Sequence, residues 1–221
     1  MNKLLTTIFA VAVSCVTVSS LAQEIKGDAK AGETKNAMCI GCHGIKGYQA
    51  SFPEIYKVPM ISGQGDKYIV AALNAYKKGE RKHPTMRSIA ESLTDQDIAD
   101  LAAYYSAHGA AAGAELPAKP AKEPGADVQA LLNKANCASC HGANFSKPVD
   151  PAYPKIAGQH SDYLFVALKA YKTDNNPKVG RSNAIMAGMA KQYTNAELKL
   201  LANYLASVDG ELKVIPQSKF R

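Results

Sequence analysis

The chain has 221 residues and a formal net charge of +7, from 26 Lys and Arg against 19 Asp and Glu. A basic chain raises nucleic acid as a partner, but the export signal and the cysteine chemistry set out below exclude that class. The longest apolar run, Leu4 to Val18, is short and broken by Thr6, Thr7, Ser14 and Thr17, which favours a cleaved leader over a transmembrane anchor.

Residues 1–22 carry Lys3, that apolar run and a small-residue ending, Ser20-Leu21-Ala22, and so read as a secretory signal peptide. Cleavage leaves a mature chain that starts at Gln23, carries a net charge of +6 and is expected in the periplasm. Cys15 is lost with the leader; the preceding Ala12-Val13-Ser14 lacks the large aliphatic residue that lipoprotein signals resemble.

Asp28 is placed to cap a first helix running through Met38, which sets Cys39 just past the helix end. Next comes Cys39-Ile40-Gly41-Cys42-His43, the attachment signature of c-type haem. Its two thiols form thioethers with the haem edge and the adjoining imidazole becomes an axial iron ligand. A structural disulfide, a thioredoxin-like redox pair and a zinc site built from both cysteine pairs are the competing readings. The histidine that follows each pair at once, the export signal and the lack of a βαβ pattern favour haem. After the motif lies a loop with Gly and Pro and no strand alternation. A second helix begins near Asp66, with Tyr68, Ala71, Ala72, Ala75 and Tyr76 at helical spacing. A third starts at Thr94-Asp95-Gln96-Asp97, which resembles a capping box, and continues through Ile98, Leu101, Ala102 and Tyr105.

From Gly109 to Ala126 the chain is rich in Ala, Pro, Lys and Gly, with prolines at 117, 120 and 124, and reads as a semi-rigid, solvated linker. Then the pattern starts again. Asp127 is placed to cap Val128 to Asn136, with Val128, Leu131, Leu132 and Ala135 on one face. Cys137-Ala138-Ser139-Cys140-His141 repeats the haem motif. Pro59-x-Ile61-x-Gly63-Gln64 recurs as Pro154-x-Ile156-x-Gly158-Gln159, and Tyr68 to Lys77 recurs as Tyr163 to Lys172. Thr194-Asn195-Ala196-Glu197 opens the last helix, and Leu101-Ala102-x-Tyr104 recurs as Leu201-Ala202-x-Tyr204. The chain is therefore a tandem duplication, with a first domain at 23–113, a linker at 114–126 and a second domain at 127–221. At roughly 90 residues each copy is small for an independent core, where a bound cofactor commonly supplies the missing stabilisation.

The second axial ligand decides whether a haem transfers electrons, binds gas or oxidises a substrate. Met86 lies 43 residues after His43 and Met186 lies 45 after His141, each read as part of a polar loop before the last helix. A lone methionine is better explained as core filling. The matched pair and the polar flanks reverse that preference, making Met86 and Met186 the expected iron ligands beside His43 and His141. Met60 faces Lys155 in the alignment of the copies and Met189 faces Ile89, so neither forms a ligand pair. His83 is read as a surface histidine near the haem edge, and His108 and His160 as solvent-exposed.

With both copies laid out, the chain resembles a di-haem class I cytochrome c of the cytochrome c4 type, across essentially the whole mature sequence. The resemblance implies an all-α fold of two tandem cytochrome c domains, each with about three main helices around one covalent haem. It implies that Cys39, Cys42, Cys137 and Cys140 hold two haem c groups and that Pro59 and Pro154 offer carbonyls to the non-ligating nitrogens of His43 and His141. It further implies that Tyr104 and Tyr204 pack the last helix of each copy across the first, near Gly32 and Ala130. Two segments depart from the family pattern, the aromatic and charged stretch Gln49 to Val58 and the extra residues in Asp174 to Arg181.

A His/Met haem leaves no open coordination position, so the expected role is outer-sphere transfer of single electrons, without catalysis by the protein. Redox proteins are the expected partners, either a membrane terminal oxidase or a flavoprotein subunit that oxidises a sulfur compound. A di-haem peroxidase or gas sensor is a third reading and requires one haem without methionine. Residues 23–115 hold 11 basic and 11 acidic residues, while 127–221 hold 12 and 7. That asymmetry points to the second domain as the side steered towards an acidic partner or towards anionic lipid in peripheral association with a membrane.

Overall fold

Residues 25–109 and 116–217 are described by the structure, a computed structural model. The leader read at 1–22, with Cys15, lies outside the described residues. The first copy runs α1 (Ala29–Lys35), α2 (Ala37–His43), β1 (Gln49–Ala50), β2 (Tyr56–Lys57), α3 (Asp66–Lys77), β3 (Arg81–Lys82), α4 (Pro84–Glu91) and α5 (Asp95–Ala107). The second runs α6 (Ala126–Lys134), α7 (Ala138–His141), α8 (Ser161–Ala170), β4 (Gly180–Arg181), α9 (Ala184–Ala190) and α10 (Asn195–Ser207). Each half is a small helical body in which the last helix packs against the others.

The first helix differs from its sequence reading. Asp28 does cap it, accepting from the amides of Lys30 at 2.8 Å and Ala31 at 3.4 Å. The helix then breaks at Asn36, where ψ is 2°, and restarts, so Cys39 lies inside α2 rather than past a helix end. In the second half Gly125, not Asp127, stands at the cap of α6, and Asp127 sits in the first turn. There its charge faces the positive end of the helix dipole instead of bonding an amide. Asn136, at φ 46°, ends that segment.

Both last helices carry the capping box. The Thr94 hydroxyl accepts from the Asp97 amide and the Asp97 carboxylate accepts from the Thr94 amide, and Thr194 and Glu197 do the same. On α5, Ile98, Leu101, Ala102 and Tyr105 form the first core with Ile69 and Leu93. On α10, Leu198, Leu201, Ala202, Tyr204 and Leu205 form the second with Leu132, Phe145 and Leu164. The copies then diverge. At Gly32 an added Cβ would stand 2.1 Å from the Asp100 carbonyl oxygen and 2.7 Å from the Tyr104 Cβ, so α1 and α5 touch backbone to backbone. Ala130 is exposed, and Tyr204 instead meets Phe145 edge-on and donates to the Lys122 carbonyl at 3.1 Å. The linker is thus partly pinned, with the Asn144 amide also donating to the Pro117 carbonyl.

Short strands appear where none was read. β1 and β2 pair antiparallel inside the stretch after the first haem motif, and β3 pairs with β4 across the two copies, setting Arg81 opposite Arg181. Ion pairs join the halves at Lys169 with Glu54 (2.5 Å) and Lys57 with Asp162 (3.8 Å). The C-terminal segment crosses back, with the Lys213 amide donating to the Ser62 carbonyl and the Gln217 side chain donating to the Tyr104 hydroxyl.

Two outcomes follow from this packing. Gly32→Ala should cost about 1–3 kcal/mol in denaturant unfolding, because neither backbone can yield. Gly188→Ala, in α9 with nothing within 4 Å, should instead stabilise by up to about 1 kcal/mol. The second concerns Asp100, which is 2% exposed. Burial works to raise its carboxyl, but Lys35, the Asp28 amide and Gln96 bind the ionised form and together hold it below its ordinary value. A carboxyl lowered in the folded state stabilises the fold above its unfolded pKa, and that contribution is lost as pH falls through the folded value. Unfolding midpoints should therefore fall as pH drops below about 4. Asp100→Asn should flatten that slope; parallel pH profiles for the two proteins would assign the slope to other groups.

Candidate functional site

None of the four motif cysteines is joined in a disulfide, and all are half-buried. Burial pushes the Cys39 thiol up to about 11 and the Cys137 thiol upward as well. A thioredoxin-like pair needs a lowered thiol, so the geometry speaks against that reading. Among the described residues no three His, Cys, Asp or Glu side chains gather as a metal site, so the two cysteine pairs do not converge on one zinc.

His43 ends α2 and His141 ends α7. The His43 Nδ1 lies 2.8 Å from the Pro59 carbonyl oxygen, and the His141 Nδ1 lies 2.9 Å from that of Pro154. A carbonyl only accepts, so each Nδ1 carries the proton and each Nε2 keeps a free lone pair. Burial lowers both imidazoles, outweighing the carbonyl bond that raises them, and so favours the neutral form able to bind a metal.

The two methionines occupy equivalent places, but not in loops. Met86 is the third residue of α4, whose first is Pro84, and the His83 Nδ1 caps the helix by accepting from the Met86 amide at 3.3 Å. Met186 is the third residue of α9, where the Asn183 side chain accepts from the Met186 amide at 2.9 Å. Both methionines are half-buried. Helices this short carry little periodicity; Pro84 and Asn183 were the signals that could have revealed them. His83 is accordingly a helix cap beside the Tyr56 ring rather than a surface residue. His108 is half-buried too, 3.0 Å from the Ser62 hydroxyl and stacked on Tyr104, and His160 is also half-buried.

One group of residues escaped the sequence reading. Arg81 donates to the Tyr68 hydroxyl at 3.2 Å and to the Tyr163 hydroxyl at 3.3 Å, and Arg181 donates to Tyr163 at 3.1 Å. The guanidiniums also lie over the rings of Tyr76 and Tyr171. Burial opposes ionisation of Tyr163, yet the two guanidiniums outweigh it and bring the phenol down, while burial keeps Tyr68 up. The Arg81 Nε is buried without a partner, and among the described residues no carboxylate pairs with either arginine. Both arginines are half-buried, and two like charges held opposite each other at one boundary are costly unless an anion joins them. Thiols able to form thioethers, imidazoles with a free Nε2 and matched methionines fit a pair of haems, whose carboxylates the two guanidiniums would hold.

Comparison with known proteins identifies the family. The profile of the family described as cytochrome c matches residues 29–107 and 125–209. The chain is 30% identical to cytochrome c4 of Azotobacter vinelandii over 93% of its own length and 98% of the relative's. It is 27% identical to the thiosulfate dehydrogenase electron acceptor of Stutzerimonas stutzeri (strain A1501), over 89% and 92% of the two chains. Among solved structures, the cytochrome c4 of Acidithiobacillus ferrooxidans superposes with a TM-score of 0.57 at 27% identity, covering 78% of this chain and 99% of that one.

Proposed function

Because the chain belongs to the cytochrome c family, as a tandem protein of the cytochrome c4 type with two covalently bound haem c groups on Cys39/Cys42 and Cys137/Cys140, we propose that it is a periplasmic electron carrier with both haems ligated by His and Met. His43 and Met86 hold one iron, His141 and Met186 the other. The observation that carries this reading is the exact matching of the two halves: a histidine whose Nδ1 is bound to a proline carbonyl, and a methionine at the third position of a side-chain-capped helix.

When bound, haem supplies a one-electron couple; the thioether of methionine raises its potential relative to a second histidine. The chain's own residues do the rest. Pro59 and Pro154 fix the ring orientation of the histidines and increase their basicity. The caps at His83 and Asn183 set where each methionine-bearing helix begins. Arg81 and Arg181 offer guanidinium donors to carboxylates at the boundary, which would place the two groups near one another and favour transfer between them. Closed coordination at both sites leaves no position for a substrate.

No helix among the described residues is long and apolar enough to cross a membrane, which accords with a carrier that meets its partners from the aqueous side. Large apolar side chains are exposed on either side of the first haem motif, at Met38 and Ile45. They suit a partner that docks over that motif, while the basic second half suits steering by an acidic partner. The likeness to a thiosulfate dehydrogenase electron acceptor favours one narrower reading, in which the donor is a sulfur-oxidising dehydrogenase. Co-purification with such an enzyme would support a subunit, and recovery of the cytochrome alone a free carrier.

Redox titration with visible and magnetic spectra, on wild type beside Met86→Ala and Met186→Ala, tests the ligation. Each variant should lose one of two sulfur-to-iron charge-transfer contributions and spare the other; a variant that leaves both intact shows that its methionine is not a ligand. Arg81→Leu and Arg181→Leu should each lower the midpoints. A positive charge at ~12 Å and an effective dielectric of about 20 is worth about 1.4 kcal/mol to the reduced state. Unchanged midpoints would place the guanidiniums away from the haems.

A further inference from the structure

The repeated Pro-x-Ile-x-Gly-Gln motif ends in a residue that the haem sites leave unexplained. Gln64 and Gln159 are each 4% exposed, and each carboxamide crosses into the other domain. The Gln64 Nε2 donates to the Lys155 carbonyl at 2.9 Å while its Oε1 accepts from the Lys155 amide at 2.9 Å. In mirror fashion, the Gln159 Nε2 donates to the Met60 carbonyl at 2.9 Å and its Oε1 accepts from the Met60 amide at 3.0 Å.

Met60 and Lys155 directly follow Pro59 and Pro154. The Met60 N–H and the Pro59 C=O are therefore two ends of one planar peptide group. His43 donates to the oxygen of that peptide, and Gln159 of the other domain accepts from its nitrogen. The second site is built the same way, with His141 on the Pro154 oxygen and Gln64 on the Lys155 nitrogen. Hydrogen bonds linked through a peptide polarise one another, so accepting from the N–H strengthens the carbonyl as an acceptor.

The anchoring of the glutamines is equally matched. Gly63 and Gly158 take φ of 84° and 72°, a region that glycine enters without strain. Their amides donate to the Tyr105 and Leu205 carbonyls of the last helices. Each Oε1 also accepts from the next amide along its own chain, Gly65 at 2.9 Å and His160 at 3.0 Å. Each side chain is thus fixed to its own domain while it holds the histidine-bearing peptide of its neighbour.

We propose that Gln64 and Gln159 are crosswise positioning residues, each tuning the axial histidine of the opposite domain through the peptide that histidine is bonded to. This rests on histidine ligation as read above. A stronger acceptor on Nδ1–H makes the imidazole more basic and favours oxidised iron, so loss of the glutamine should raise the midpoint of the haem in the other domain.

The test uses the full holoprotein, with Gln159→Leu and Gln64→Leu keeping side-chain bulk while removing both bonds. Midpoints are read by redox titration. Proton NMR of the oxidised protein reads the shifted axial-histidine signals, assigned to each domain by through-space contacts with its own residues. Gln159→Leu should raise the midpoint of the first haem and move the His43 signals, leaving those of His141 in place, and Gln64→Leu should do the reverse. Gln159→Glu supplies a rescue: its buried carboxyl, protonated at mildly acidic pH, presents the same acceptor and donor and should restore the wild-type midpoint there. Perturbation confined to the variant's own domain, equal effects on both haems, or no effect in folded protein overturns the proposal. Wild-type spectra without histidine signals at either iron would overturn the ligation it rests on as well.

Discussion

Each motif histidine gives its Nδ1 proton to a proline carbonyl, at 2.8 Å for His43 and 2.9 Å for His141, and much of the remaining structure is arranged so that this bond can form. The chain must leave the haem motif and return with a carbonyl pointed at the ring. In the first half it does so through the β1–β2 hairpin, in the second through a shorter loop in which Phe145 is buried and held at φ 58°. Beyond the proline, the half-buried isoleucine at 61 or 156 packs against its domain's core and the glycine at 63 or 158 turns the chain into the next helix. One six-residue motif therefore fixes a histidine, fills a core and joins two domains.

The domain boundary is the second constraint, and it differs in kind from the cores. The cores are apolar, built from Ile98, Leu101, Leu198 and Leu201. The boundary carries two buried glutamines, two guanidiniums and a group of tyrosines. Polar interiors hold a fixed geometry only when their groups are satisfied. The carboxamides are satisfied by backbone of the opposite domain, whereas the guanidiniums find only phenols and lack an anion. That difference separates what the polypeptide completes by itself from what the haem carboxylates are proposed to complete. Sequence asymmetry rides on this pseudo-symmetric frame, with a neutral first half and a basic second one.

Features written in local chemistry were legible in the chain itself. The caps at Asp28, Thr94 and Thr194, the start of α3 at Asp66 and the cores of α5 and α10 follow from side-chain type and spacing. Of the site, the duplicated Cys-x-x-Cys-His and the paired methionines stood out because they occur twice. What stayed hidden depends on contacts distant in sequence or on very short elements. The break falls at Asn36, which is 1% exposed and whose side chain donates to Gln217 far along the chain. The two-turn reach of α4 and α9 is too brief for periodicity to register. Arg81 and Arg181 lie 100 residues apart in the sequence, and only the pairing of β3 with β4 sets them opposite each other. Ala130 and Asp127 show the reverse error, in which the first copy was taken as a guide to the second although their opening helices pack differently.

The central claim is that each Cys-x-x-Cys-His opens its own domain and that each domain closes on its own methionine. Proton NMR of the fully reduced holoprotein tests it most directly, because a methionine methyl bound to iron lies over the haem face and is shifted far upfield by the ring current. Two distinct three-proton methyl signals in that region, one from Met86 and one from Met186, are the predicted result. A single such signal, or none, would contradict the account and leave at least one iron with a different sixth ligand or with an open position.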